Sequence, residues 1–217
     1  MSVKLSVTSK LDGIKSWSLE ALETCPGSVN KDGSLVPACS GCYATTGNYR
    51  FSNVKAPRAF NKEDWKRDAW EDEMVQALQD SRYFRWFDSG DLYDLRLAEK
   101  VYQVMNRTPW VSHWMPTRMH KFAKFQSILE RMNSLSNVVV RFSSDSVLGE
   151  IVQGATYSSI IVPDQEKLPK GATMCNAYEN EGKCSGCRAC YSKDVALVAY
   201  LAHGKKMSKV IRLALAA

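Results

Sequence analysis

Histidine is scarce in this chain: three residues in 217, His113, His120 and His203, none in a motif that ties it to a metal-binding cysteine. Long apolar runs are missing as well. Nothing approaches the ~18–20 uninterrupted apolar residues of a membrane-spanning helix, so no membrane partner is expected. The opening Met-Ser-Val-Lys-Leu-Ser-Val-Thr-Ser-Lys lacks the apolar core and cleavage site of a secretory signal, and a cytoplasmic location is expected. Low-complexity tracts, internal repeats and long charge blocks are absent, which argues against a disordered, solenoid or polyelectrolyte protein. The net charge of +6 permits an anionic partner without demanding one.

What the chain does have is seven cysteines in two groups. Cys25, Cys39 and Cys42 lie near the start; Cys175, Cys184, Cys187 and Cys190 lie near the end, three of them in Cys184-Ser-Gly-Cys187-Arg-Ala-Cys190. An odd count, no export signal and a C-x-x-C-x-x-C run too cramped for pairing argue against disulfides. Sulfurs that converge on one point suit a metal. Four thiolates fill the protein side of a metal centre, whereas three leave one position open for something that reacts. Structural zinc usually takes paired C-x2-4-C knuckles; one distant cysteine plus a C-x2-C-x2-C run is closer to iron–sulfur ligation. Zinc on the second group stays open.

Hydrophobic period in the middle of the chain alternates between strands and helices. A helix is expected over Asn61–Asp80, with Trp70, Met74, Ala77 and Leu78 on one stripe. Others are expected over Leu95–Arg107, with Leu95, Ala98, Tyr102 and Met105 inward, and His120–Asn133, with Phe122, Phe125, Leu129 and Met132 inward. Strands are expected at Tyr83–Phe87, Trp110–Met115 (closed by Pro116), Val138–Phe142 and Ser159–Val162. Repeated strand–helix–strand units imply an α/β fold with parallel strands; four or five such units suggest a partial (β/α) barrel rather than eight. The barrel is expected over residues 1–165, with a small C-terminal cysteine-rich metal-binding extension over 166–217.

Chemistry in parallel α/β folds gathers at the carboxyl ends of strands. Ser89, Gly90 and Asp91 follow the first of these strands, Arg118 the second, and Ser143, Ser144 and Asp145 the third. Turns favour such residues anyway. Ser89-Gly90-Asp91 nevertheless places a carboxylate beside a glycine where backbone can approach a ligand.

Thr24-Cys25-Pro26-Gly27, the close Cys39-Ser-Gly-Cys42-Tyr43-Ala, the Ser-Gly-Asp turn and the terminal Cys-x-x-Cys-Arg-x-Cys together resemble a group of phage-encoded proteins. More loosely, the chain resembles the radical S-adenosylmethionine (SAM) superfamily. It departs from the usual C-x3-C-x2-C in that thirteen residues separate Cys25 from Cys39. Gly41 stands where an aromatic usually precedes the third cysteine, and Tyr43 is the candidate to replace it against adenine. The resemblance implies a [4Fe–4S] cluster on Cys25, Cys39 and Cys42 that binds SAM and cleaves it to a 5′-deoxyadenosyl radical. It also implies a second [4Fe–4S] cluster on Cys175, Cys184, Cys187 and Cys190. Ser89, Gly90 and Asp91 would face the methionine ammonium, Arg118 or Arg141 its carboxylate, and Ser143, Ser144 and Asp145 the ribose. Implied partners are an electron donor such as flavodoxin or ferredoxin and a nucleotide, nucleic-acid or peptide substrate, in the host cytoplasm.

The alternative, of another class, is a non-enzymatic iron–sulfur or zinc-binding phage protein that binds a host protein or nucleic acid; the long first spacing favours it, whereas the open three-cysteine count with the Ser-Gly-Asp turn favours the enzyme. His113, on a strand between Ser112 and Trp114, reads as a satisfied core histidine rather than a catalytic one. Arg82 and Arg85 beside Tyr83, Phe84 and Trp86 suit base stacking or plain strand alternation equally.

Overall fold

The alternation in Tyr83-Phe-Arg-Trp sends Phe84 and Trp86 into an apolar core and leaves Tyr83 and Arg85 on the opposite face. This strand, β3 (Tyr83–Trp86), belongs to the eight-stranded sheet of the computed structural model, which describes residues 3–216. The others are β1 (Ser6–Val7), β2 (Lys15–Trp17), β4 (Ser112–Thr117), β5 (Val138–Ser143), β6 (Ser158–Val162), β7 (Thr173–Met174) and β8 (Leu197–Leu201). Their order is β1-β2-β3-β4-β5-β6-β8-β7. Only β1 and β2 pair antiparallel; every other neighbouring pair is parallel.

Six helices complete the mixed α/β fold among the described residues: α1 (Pro37–Ser40), α2 (Ser52–Asp64), α3 (Trp70–Ala77), α4 (Leu95–Arg107), α5 (Ala123–Ser134) and α6 (Lys205–Leu215). Asp94 caps α4 by accepting the Arg96 N–H at 2.7 Å. Trp70 and Met74 of α3, Leu97, Val101 and Val104 of α4, and Phe125, Leu129 and Met132 of α5 bury one core with Phe84, Trp86, Met115, Val138 and Val140. Each such side chain stabilises the fold by about 1.5–3 kcal/mol. His113 lies in this core as a neutral ring. Its Nδ1 accepts from Trp86 Nε1 at 3.2 Å, and Nε2 lies 2.9 Å from Thr108 Oγ1, whose hydroxyl donates to Val104 O.

Several expectations need correction. The helix expected over Asn61–Asp80 is two, α2 and α3, with a break at residues 65–69. Trp65 and Trp70 are both buried, and five residues along one helix would set them about 140° apart. Breaking the helix lets both face the core, and Arg67 braces the corner by binding Asp64 and Glu73. On α4, the inward face is Leu97, Ala98, Val101, Val104 and Met105, while Leu95 is 38% exposed. Pro116 does not close β4 but lies within it, opposite Arg141. The sheet is not shown to close as a barrel: β1 and β7 form its two ends and are not paired to one another. Residues 166–217 contribute β7 and β8 to the same sheet, β8 pairing with β6 along five positions and carrying β7 on its other edge. The outer limits of the two expected regions, residues 1–2 and 217, lie outside the described residues.

Candidate functional site

Thirteen residues separate Cys25 from Cys39, yet the chain folds back on itself between them. Ser28 O accepts the Val36 N–H at 2.9 Å, Val29 and Leu35 form an antiparallel bridge, and Asn30 to Ser34 make the turn. The insertion is therefore a hairpin whose base lies three residues from each cysteine. Cys42 then comes back to Cys39 through a 3.0 Å bond from its N–H to Cys39 O. Burial pushes the Cys25 thiol up to about 12, and the charges of Asp91, Cys39 and Cys42 act in the same direction. Cys39 is raised by burial and lowered in part by the Arg118 cation.

The Thr-Cys-Pro-Gly segment is packed residue by residue. Thr24 O accepts the Asp91 N–H at 3.0 Å, and Pro26 opens a short 3-10 turn. Gly27 lies so close to Arg118 that a Cβ would come within 2.6 Å of that residue's Cβ. Gly41 is pressed against α6, where a Cβ would meet Met207 Cε at 2.6 Å. An aromatic side chain is excluded near that spot because a helix from the far end of the sequence fills it. Tyr43, 48% exposed, donates instead to Asp88 O at 2.6 Å.

The Ser-Gly-Asp turn is held from beneath by Arg58 of α2. One guanidinium nitrogen reaches both carboxylate oxygens of Asp88 at 2.8 and 3.0 Å, and Nε donates to Ser89 Oγ at 2.7 Å. Ser89 Oγ in turn donates to Leu19 O at 2.6 Å. Gly90 has φ +77°, and a Cβ there would lie 2.5 Å from Leu19 Cβ and 2.7 Å from Thr24 Oγ1. The glycine thus serves packing against the segment before Cys25 rather than open ligand space. Asp91 accepts from Thr117 Oγ1 (2.6 Å), Arg118 N (2.8 Å) and Leu92 N (2.8 Å). Burial still raises its carboxyl to about 6, against the pull of those bonds.

Beyond β4 and β5 lies a charged shelf. Arg118 donates to Ser144 O at 2.9 Å and forms an ion pair with Asp145 at 3.3 Å. Lys121 donates to Asp145 at 2.6 Å and to Gly27 O at 3.0 Å. Ala38 N–H donates to Asp145 O at 2.9 Å, tying the shelf to the turn that carries Cys39. Ser144 Oγ accepts from Ser146 N, and Ser143 Oγ lies 3.3 Å from Ser159 Oγ. Among the residues singled out in the sequence, Asp91, Arg118 and Asp145 lie close enough to the first cysteine group to act on its thiols, and Ser144 joins them through the bond its carbonyl accepts from Arg118. Ser89 and Gly90 lie beneath it as support.

Arg141 is elsewhere. It is fully buried, and its guanidinium donates to the carbonyls of Ala189, Cys190, Ser192 and Ala196. That places it under the second cysteine group, as the clamp that shapes its loop. Asp12 orders the same loop from outside, accepting from Ser185 N, Gly186 N and Arg188 Nη1. Burial pushes Cys184 up to about 11, with the charges of Cys175 and Cys190 acting in the same direction, and burial raises Cys190 as well. Cys187 is exposed. A cavity of about 240 Å³ beside the group is lined by Lys10, Cys175, Tyr178, Tyr200 and His203, among others.

All seven cysteines are free thiols. Among the described residues no set of three or more His, Cys, Asp or Glu side chains is already gathered to hold a metal ion. Thiolate is a metal ligand and thiol is not, and burial makes Cys25, Cys39, Cys184 and Cys190 harder to deprotonate, so a bound cation would have to offset that cost. Sequence reasoning missed Arg58, Lys121, Asp12 and Met207. Only the Gly41 position carried a local hint, since a glycine in place of a bulky residue signals a close neighbour.

Residues 3–212 match the model of a family described as Gene product 88. No curated protein and no solved structure matches the chain.

Proposed function

This chain belongs to the phage-type family described as Gene product 88, and we propose that it is a radical-SAM-like iron–sulfur enzyme centred on Cys25, Cys39 and Cys42. The observation that supports this is the hairpin at residues 28–36, which closes the long insertion and brings the cysteine segment near Asp91, Arg118 and Asp145, beyond the carboxyl ends of β3, β4 and β5. With a [4Fe–4S] cluster and SAM bound, the chemistry supplied is one-electron cleavage of SAM to a 5′-deoxyadenosyl radical. The chain's own part is to bind and orient. Cys25, Cys39 and Cys42 would hold three irons and leave one position open. Arg118 offers a guanidinium to a carboxylate, and Asp91, with three hydrogen bonds already accepted, keeps one acceptor direction for an ammonium. Cys175, Cys184, Cys187 and Cys190 would hold a second cluster, clamped by Arg141 and Asp12. An electron donor of the flavodoxin or ferredoxin kind and a nucleotide, nucleic-acid or peptide substrate complete the reading.

One observation favours a second reading, a non-enzymatic metal protein that binds a host protein or nucleic acid. The Arg118 backbone N–H is spent on Asp91, and its guanidinium is turned to Ser144 O and Asp145, contacts within the chain of the kind a scaffold would use. Anaerobic purification, iron and acid-labile sulfide counts, and a search for 5′-deoxyadenosine after reduction with SAM separate the two. About eight irons per chain with 5′-deoxyadenosine supports the enzyme. Iron without SAM binding leaves the scaffold, and stoichiometric zinc without sulfide overturns both clusters.

A further inference from the structure

On the face of the sheet opposite the main core, Arg85 and Trp114 are register partners on β3 and β4. The Arg85 guanidinium lies over the Trp114 indole, 4.6 Å from its centroid. Tyr191 closes over them from the second cysteine loop, edge-on to Trp114 at 5.6 Å and to Tyr83 at 5.2 Å. Three polar atoms shielded here have no hydrogen-bond partner: Arg85 Nε, Trp114 Nε1 and Tyr191 Oη. Trp17 and Trp70 also carry unpartnered indole N–H groups, but those two rings pack edge-on to each other in the core with no cation beside them.

Two of the three orphans are donors only, and the third is a hydroxyl that can donate. Arg85 forms no ion pair among the described residues. Its one side-chain hydrogen bond runs from Nη2 to Tyr43 Oη at 3.3 Å. Asp88, whose charge reaches it, is already held by Arg58. Arg141 on the same sheet has its guanidinium filled by carbonyls. A cation and neighbouring donors without an acceptor are the complement of an oxyanion.

We infer that Arg85, Trp114 and Tyr191 form a binding site for an oxyanion, phosphate or carboxylate, carried by the substrate. The site lies between the two cysteine groups, since Tyr43 follows Cys42 and Tyr191 follows Cys190. Calling the ligand substrate rests on the enzyme reading above; the oxyanion site itself does not.

The test is anaerobic calorimetry on the full, cluster-loaded chain with inorganic phosphate and, separately, acetate, each with and without saturating SAM. Saturable binding of one anion is expected, and which one binds tells phosphate from carboxylate. Arg85→Gln should weaken it at least tenfold and Tyr191→Phe severalfold. Arg82→Gln, at an exposed residue three positions before Arg85, should leave it unchanged. Tyr191→Phe keeps the ring and so guards against a folding defect in Arg85→Gln. Absence of saturable binding, equal affinity in all variants, or displacement of the anion by SAM overturns the site as a substrate subsite. Anion binding in a chain that binds no SAM would retain the oxyanion site and sink the enzyme reading alone.

Discussion

Acid should weaken this fold through His113, far from either cysteine group. The ring is fully buried and uncharged, and burial depresses its pKa from 6.5 to about 3. A depressed folded value means that the stability is complete above pH 6.5. As pH falls, the unfolded chain takes the proton first, and the loss continues until the folded pKa is reached. Each unit of separation is worth 1.36 kcal/mol. At about pH 5 the unfolded histidine is protonated 1.5 units below its pKa, so wild type should have lost about 2 kcal/mol through this residue. The whole effect, about 5 kcal/mol, needs pH near 3. His113→Gln supplies a reference that cannot titrate. It should be about 1–3 kcal/mol less stable than wild type near neutrality, because Trp86 Nε1 or Thr108 Oγ1 loses its partner. Urea unfolding of both proteins at about pH 7.5 and about pH 5 measures the gap, and other titrating groups cancel in the difference. The gap should shrink by about 2 kcal/mol on acidification. A gap that stays constant would show that His113 is protonated in the fold or exchanges with water, and the buried neutral ring would be refuted.

Arg58→Met should cost about 3–5 kcal/mol in urea unfolding, because Asp88 would remain buried without its cation; a loss below 1 kcal/mol would mean that water reaches the pair. Gly90→Ala combines a left-handed residue with a Cβ contact at 2.5 Å, so a loss of about 2–5 kcal/mol is expected. If it is neutral, the turn yields. Asp91 has the opposite sign to His113: its carboxyl is raised from 3.8 to about 6, so its contribution is complete below 3.8 and lost as pH rises through about 6. Wild type should lose about 3 kcal/mol over that window, and Asp91→Asn should lose none of it. Replacing residues 30–34 by a tight two-residue turn should preserve the iron content of anaerobically made protein, since the Val36–Ser28 bond closes the hairpin below the excision. Loss of iron would show that the loop itself forms the site.

The six-residue strands β4 and β5 and the helices α4 and α5 were legible from the sequence because each repeats its own period over enough residues to outweigh the alternatives. The division of the cysteines into three and four was legible too, since it needs only counting. The finer roles were not. Arg141 was a plausible ligand arginine by its place near a strand end, yet it serves the loop at 189–196, whose carbonyls arrive from some fifty residues further along. Gly90 read as space for a ligand, whereas Leu19 and Thr24 fill that space. Strands β2, β7 and β8 are too short or too uniformly apolar to announce themselves, and become strands only by pairing: β2 with β3, β8 with β6, and β7 with β8. The break between α2 and α3 depends on two tryptophans reaching one core. Local sequence thus determined which segments have a period and which residues carry reactive chemistry. Contacts between distant segments decided which guanidinium meets which carbonyl, which glycine is crowded, and how a thirteen-residue gap closes, because those outcomes depend on sheet register and packing that no stretch of sequence contains by itself.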